Sequence, residues 1–282
     1  MTKIAWVIDS TAFIDEELIS HPDVYTIPIT ILLDEKEYTE GVDITPTELY
    51  EKLKTLKTPP KTSQPSIGAF QELYERLKEK YEIVISVLLS SKLSGTVSSS
   101  EQAAQLVDIP VITIDSKILT YPLTRIFKRG IELAESGLQP EAIKNALEEL
   151  SQTSETYVLI GSLEQLHRSG RMSGVQFLLG SMLNVKPIIS IDEGALSVKE
   201  KARSERKAKD KIIQLLRKAH EKKPLKEASI LYGLHEAEAL KWKEELIQEF
   251  PDIEFGHYPL GAAIGVHAGE NTLGINWFNG LN

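Results

Sequence analysis

Residues 83–96 read Ile83-Val84-Ile85-Ser86-Val87-Leu88-Leu89-Ser90-Ser91-Lys92-Leu93-Ser94-Gly95-Thr96, and this stretch decides the fold. The apolar run Ile83 to Leu88 has the length and composition of a buried strand, and the small-residue segment Val97 to Leu106 predicts a helix. Between them the chain turns through Ser and Gly. Such a turn leaves backbone N–H groups pointing outward, with the positive end of the helix dipole behind them. The hydroxyls of Ser90, Ser91, Ser94 and Thr96 can add donors, so an oxyanion, phosphate or carboxylate, is the natural guest. Plain helix capping is the alternative use of the same residues.

The alternation continues on both sides. Lys3 to Ile8 predicts a buried strand, and Val24 to Leu33 one extended segment. Thr45-Pro46-Thr47-Glu48 is a capping box with Pro at the first helical position, opening a helix that carries Leu49, Leu53 and Leu56. Ile67, Phe70, Leu73, Tyr74 and Leu77 mark a further helix. Val111 to Ile114 predicts a strand, and Leu119 to Ser136 and Pro140 to Ser151 predict helices. This pattern implies an α/β domain over residues 1–153, built on a mostly parallel, doubly wound sheet.

The second half has a different grammar. Thr156 to Ile160 predicts a strand, and Val175 to Leu183 an apolar helix interrupted by Gly180. Asp192-Glu193-Gly194 lies between Pro187–Ile191 and Ala195–Lys199, a hairpin signal. A helix, a strand over Ser229 to Gly233, a helix ending at Phe250, and strands near Ile253, Ile264 and Ile275 complete the chain. Residues 154–282 therefore predict a second α/β domain, α+β-like, with a mixed or antiparallel sheet. The polar stretch Ser151 to Glu155 marks the boundary.

Composition narrows the chemistry. The 282 residues are 41% hydrophobic and 26% charged, ordinary for a globular protein. With no Cys, disulfides, thiolate metal sites and thiol nucleophiles are excluded. No apolar run reaches the length of a membrane span, and Met1-Thr2-Lys3 leads straight into a strand, so the expected compartment is the cytoplasm. The net charge of −9 speaks against general nucleic-acid binding. One basic stretch, Lys199 to Lys223, carries Ala208, Ile212, Leu215, Leu216 and Ala219 at helical spacing, which places its charge on a solvated face. A docking surface for an acidic partner or for anionic lipid head groups, in transient membrane contact, is the alternative.

Several segments could carry chemistry. Asp9-Ser10-Thr11, Ser90 to Thr96 and Asp115-Ser116 end three strands that share one rim of an open sheet, where ligands bind. Lys61-Thr62-Ser63-Gln64-Pro65-Ser66 precedes a helix and either covers that rim or only caps the helix. Gly161 to Gly174 is polar and Gly-punctuated, with Arg168 and Arg171 three apart. Arg suits phosphate through its fork of donors, whereas a surface Arg is otherwise simply solvated. His267 stands among small residues in Gly261 to Gly269, where flanking glycines allow close approach of a backbone or ligand. No HExxH, GxSxG, GxGxxG or P-loop pattern is present.

Taken in order, Asp9-Ser10-Thr11, Thr62-Ser63-Gln64-Pro65, Ser90 to Thr96, Gly161 to Gly174, Leu183-Asn184-Val185-Lys186-Pro187 and Ile264-Gly265-Val266-His267-Ala268-Gly269 resemble the DegV family over nearly the whole chain. These lipid-carrying proteins include the FakB-type subunits of bacterial fatty acid kinase. The resemblance implies two α/β domains with one long-chain fatty acid buried between or beneath them. It further implies that Thr62, Ser94 and His267, with Gly95 beside them, hold the carboxyl group and that Arg203 lies close to it. Arg171, with Arg168, would face a separate ATP-dependent kinase subunit that makes the acyl phosphate. In this reading the protein is no enzyme itself, has no nucleotide site and needs no cofactor beyond its bound lipid.

The physical chemistry is compatible. Hydroxyls, an imidazole and a helix N-terminus satisfy a carboxyl group without a fixed ion pair, which keeps the head transferable. Burying an acyl chain at about 0.8 kcal/mol per CH₂ yields roughly 10 kcal/mol or more before binding costs. Phe177, Leu178, Leu179, Met182 and Leu183 are candidate tunnel residues, or else ordinary core. Two other functions compete: a serine hydrolase with Ser94 as nucleophile, His267 as base and Asp9 or Asp115 as orienter, and a regulatory binding module contacting its partner through Lys199 to Lys223.

Overall fold

A computed structural model describes residues 2–171, 175 and 185–281. The first half runs β1 (Ile4–Asp9), α1 (Glu16–Ser20), β2 (Val24–Ile27), β3 (Thr30–Leu33), β4 (Lys36–Thr39), α2 (Pro46–Leu53), β5 (Lys61–Ser63), α3 (Ile67–Leu77), β6 (Ile83–Leu88), α4 (Thr96–Ala104), β7 (Val111–Asp115), α5 (Thr120–Glu135) and α6 (Pro140–Gln152). The second half continues with β8 (Ser154–Leu159), α7 (Leu163–Arg168), β9 (Lys186–Asp192), β10 (Ala195–Ala202), α8 (Glu205–Lys222), β11 (Glu227–Tyr232), α9 (Glu236–Glu249), β12 (Glu254–Pro259), α10 (Ala262–Ala268) and β13 (Leu273–Phe278).

The first sheet is parallel, in the order β2-β1-β6-β7. Helices cover both faces, so its strands are mainly apolar and successive residues serve opposite cores. Trp6, Ile8, Ile85 and Val87 pack under α5 and α6 with Phe127 and Leu147. Ala5, Val7, Val84 and Leu88 face α3 and α4 with Phe70, Tyr74 and Val97. α5 lies so close to β1 that a Cβ on Gly130 would stand 2.7 Å from the Trp6 ring. The alternating pattern of the sequence is therefore realised as an α/β unit.

The segment predicted as one strand over Val24 to Leu33 is two. β2 joins β1 in parallel, whereas β3 joins a separate antiparallel sheet of order β4-β3-β5. Pro28 explains the break, because it has no N–H for a ladder, and the next amide, Ile29, donates to the Ser10 hydroxyl at 2.8 Å instead.

The third sheet, β10-β9-β8-β13-β11-β12, is antiparallel except for the β11–β12 pair. The predicted hairpin forms: Glu193 and Gly194 both take positive φ, 47° and 84°, the signature of a two-residue type I′ turn. α8 and α9 bury Ile212, Leu216, Trp242 and Leu246 on this sheet. In the basic stretch, Lys199 to Ala202 belong to β10 and Glu205 to Lys222 to α8, where Ala208, Ile212, Leu216 and Ala219 are buried and Leu215 packs against the same core. Three basic residues of the stretch are paired locally, as Lys209–Glu205, Lys211–Glu200 and Arg217–Glu249. No described helix is long and apolar enough to cross a membrane.

The strand predicted near Ile264 is instead the helix α10. Gly261 and Gly269, at φ 80° and 86°, bracket it, and the small apolar run between them has no alternation to hold it in a sheet. α10 packs on β3 and α2 through Ala262, Ala263 and Val266. The apolar helix predicted over Val175 to Leu183, with its candidate tunnel residues, lies outside the described residues apart from Val175, which is buried.

Candidate functional site

The rim where β1, β6 and β7 end is organised by two acids. Asp9, fully buried, accepts from Thr11 N at 3.0 Å, Thr11 Oγ1 at 2.5 Å and Leu89 N at 2.7 Å. Burial raises its pKa, against the pull of those hydrogen bonds. Asp115 accepts from Ser91 Oγ at 2.5 Å, Ser91 N at 3.2 Å and Lys117 N at 2.9 Å. Both carboxylates hold loops in place. Ser90 is likewise engaged, donating to the Gly194 carbonyl at 2.7 Å and tying the rim to the β9–β10 hairpin.

The other two hydroxyls of the deciding stretch bond to each other, and Ser94 lines a cavity. Ser94 Oγ and Thr96 Oγ1 lie 2.8 Å apart at the start of α4. Gly95 is the N-cap, without a side-chain capping bond. A Cβ at this position would meet Gln64 Nε2 at 2.6 Å, so glycine here lets the Gln64 amide lie over the helix start.

Opposite them stand residues from the far end of the chain. β5 carries Thr62, and α10 carries His267, whose Nε2 is 2.8 Å from the Thr62 hydroxyl. His267 Nδ1 is buried with no hydrogen-bond partner among the described residues. Burial, and then the charge of Arg171, lower the His267 pKa to about 3, so the ring is neutral at pH 7. Arg171 donates to the carbonyls of Ser169 at 2.6 Å and Leu93 at 3.4 Å. Desolvation lowers its pKa, and no carboxylate pairs with it among the described residues.

These groups share one cavity. It is lined by Thr62, Gln64, Ser94, Arg171 and His267. The rest of its wall is mainly aliphatic, including Ile29, Leu89, Leu119, Val158, Ile189 and Leu231. Such a space suits a ligand with one anionic end and a long apolar body. Thr62, Ser94, His267 and Arg171 are thus brought together, with Gly95 adjoining Ser94.

Arg171 is half-buried and lines the cavity, just after Gly170, which takes φ 76° beyond the end of α7. Arg168 is not with it. It stays on the exposed face of α7, 2.5 Å from Glu164. Arg203 is exposed between β10 and α8 and does not line the cavity. Gln64 is the site residue that the sequence reading passed over. Its motif was visible, but its role depends on the missing Cβ of Gly95.

The hydrolase arrangement is not assembled. Ser94 pairs with Thr96 and His267 with Thr62, while Asp9 and Asp115 are occupied by backbone amides and hydroxyls. Nothing here joins a nucleophile to a base and the base to an orienting acid.

Comparison with known proteins agrees with the motifs. Residues 3–280 match the profile described as "Uncharacterised protein, DegV family". The chain is 38% identical to Protein DegV of Bacillus subtilis over 277 residues, covering 98% of this chain and 99% of that one. Among solved structures it is similar to "DegV, a fatty acid binding protein from Bacillus subtilis", with TM-score 0.90, 37% identity and 99% of each chain covered. A "Fatty Acid Binding" DegV family protein from Thermus thermophilus superposes with TM-score 0.90 at 32% identity, covering 98% of this chain and 99% of that one. The chain described here belongs to the DegV family.

Proposed function

We propose that the protein binds one long-chain fatty acid and presents its carboxyl group to a separate ATP-dependent kinase subunit, which forms the acyl phosphate. The observation that carries the binding step is the polarity of the cavity. A guanidinium with no carboxylate partner among the described residues and a neutral imidazole line an otherwise mainly aliphatic space. An ionised carboxylate there gains charge-assisted hydrogen bonds from Arg171, Thr62 and Ser94, while the acyl chain leaves water. The solved relatives from Bacillus subtilis and Thermus thermophilus are described as fatty acid binding, which supports the same reading.

This reading treats residues 1–153 and 154–282 as two domains with the lipid between them. The cavity wall draws on both, with Ile29, Leu89 and Ser94 from the first and Val158, Ile189 and Leu231 from the second. Arg171, at the polar end, is where the kinase subunit would meet the head group.

The binding step is tested by native mass spectrometry and organic extraction of the purified protein. One fatty acid per chain is expected. Only apo protein, together with no uptake of added oleic acid, overturns it. The transfer step has its own test: lipid-loaded protein is mixed with ATP and a fatty acid kinase catalytic subunit. Absence of acyl phosphate from protein that is demonstrably loaded overturns that step alone.

A further inference from the structure

Glu40 follows β4 and is 6% exposed. Its Oε1 accepts from Ala263 N at 2.7 Å, and its Oε2 accepts from the Ser10 hydroxyl at 2.7 Å. Ser10 Oγ in turn accepts from Ile29 N at 2.8 Å. One carboxylate therefore joins the end of β1, the start of β3 and the first turn of α10, across 223 residues of sequence. Gly261 opens α10 at φ 80°, and a Cβ there would come within 3.2 Å of Glu40 Oε1, so the backbone passes close to the acid.

α10 has seven residues, too few to hold a helix on its own, so its position depends on what grips it. In the middle it is packed by Tyr50 of α2, whose hydroxyl would be 2.5 Å from a Cβ on Gly265. At its C-terminal end the Ala268 carbonyl accepts from Ser162 N at 2.9 Å and Thr272 Oγ1 at 2.8 Å. At its N-terminal end the grip is an ionisable side chain. The same helix lines the cavity through Ala263, Ile264, His267 and Ala268.

We propose that Glu40 is a positioning residue: by clasping the first turn of α10 to the ends of β1 and β3, it sets where His267 stands against Thr62. The ionised carboxylate accepts both bonds at once. Protonation turns Oε2 into a donor toward the second lone pair of Ser10 Oγ, so a charge-assisted bond becomes a neutral one of reversed direction and the Ser10 O–H loses its acceptor. The clasp loosens when Glu40 takes up a proton. Around it, the charged group that acts on the carboxylate is the buried Asp9 at the end of β1. His267 lies at the other end of α10 itself. Burial, with a smaller contribution from the charge of Asp9, pushes the Glu40 pKa up to about 7. His267 titrates far lower, so the two groups are separable by pH.

Two readouts test this. The first, ring NMR of His267 in the apo protein, is independent of any lipid. The second, affinity for oleic acid, rests on the fatty acid reading above. In the wild type, the His267 resonances should shift with a midpoint near 7 although the ring itself stays neutral. Oleic acid affinity should fall about fivefold from about pH 8 to about pH 6, the weight of one hydrogen bond. Glu40→Gln mimics the protonated acid, so it should remove both inflections and hold affinity at the wild-type low-pH level. A wild type without an inflection overturns the proposal, as does an inflection that survives in Glu40→Gln. If that variant does not fold, the wild-type series decides alone. A wild type that binds no oleic acid but shows the His267 shift overturns the fatty acid reading and leaves Glu40 as the positioning residue.

Discussion

The hydroxyl of Thr62 and Nε2 of His267 lie 2.8 Å apart, although 205 residues separate them in the chain. With the ring neutral, an Nε2–H can donate to Thr62 Oγ1 and leave the Thr62 O–H free to donate onward. The pair thus turns an imidazole and a hydroxyl into one directed donor at the polar end of the cavity. Its geometry depends on two elements that grip each other only in the folded protein, the edge strand β5 and the short helix α10.

Thr62→Val and Ser94→Ala should each weaken fatty acid binding by about 1.5–3 kcal/mol, the range for a hydrogen bond to a charged group. Neither change empties the core, since both residues are only partly buried. Displacement titration with a fluorescent fatty acid measures this, with circular dichroism as the folding control. Unchanged affinity in both variants removes these hydroxyls from the head-group site.

Arg171→Ala should raise the His267 pKa, because the Arg171 charge is the second cause of its depression after burial. The same variant should bind an ionised fatty acid more weakly, and Arg171→Lys should recover only part of the loss, keeping the charge without the planar fork. His267 ring resonances followed over an acid titration check the first effect. An unmoved His267 would separate Arg171 from the ring.

Glu40 makes stability depend on pH in a definite direction. Its pKa is raised on folding from 4.5 to about 7, so the folded state holds the proton more tightly. The resulting stabilisation is fully present below the unfolded value and is lost as pH rises through about 7. Glu40→Gln, permanently neutral, should therefore gain relative to wild type on going from about pH 5 to about pH 8, by up to roughly 3 kcal/mol at about 1.4 kcal/mol per unit. Urea unfolding at the two pH values reads the difference. An equal difference at both would place the Glu40 titration outside this window.

Gly130→Ala is a control for packing away from the site. Its Cβ would stand 2.7 Å from the Trp6 ring and 3.0 Å from Leu147 Cδ1, both in the core beneath α5. Overpacking of this kind costs about 1–3 kcal/mol. The midpoint of urea unfolding should drop while fatty acid affinity stays at the wild-type value. An unchanged midpoint would show that α5 can lift away from β1 at little cost.

The sequence by itself determined the layered plan. Buried strands such as Ile83 to Leu88, the Thr45–Glu48 capping box and the Asp192–Gly194 hairpin are local patterns, and local sterics and hydrogen bonding decide them. The segments carrying Thr62, Ser94 and His267 stood out by their polar and Gly-rich composition, but their joint role came only from the resemblance to the DegV family. Tertiary structure decided everything that needs two distant segments at once. Pro28 splits Val24 to Leu33 between two sheets because β1 and β4 offer different partners on either side of it. Ile264 lies in a short helix whose first turn is bonded to Glu40 and whose middle packs on Tyr50, residues more than 200 positions away in the chain. Arg171 faces the cavity and Arg203 faces water, a distinction that identical side-chain chemistry cannot encode. Ser90 and Ser91 bond to Gly194 and Asp115, while Ser94 bonds to Thr96 and lines the cavity, and only the placement of those partners separates the three. A side chain's chemistry is local, but its partner, its burial and therefore its charge state belong to the packed whole.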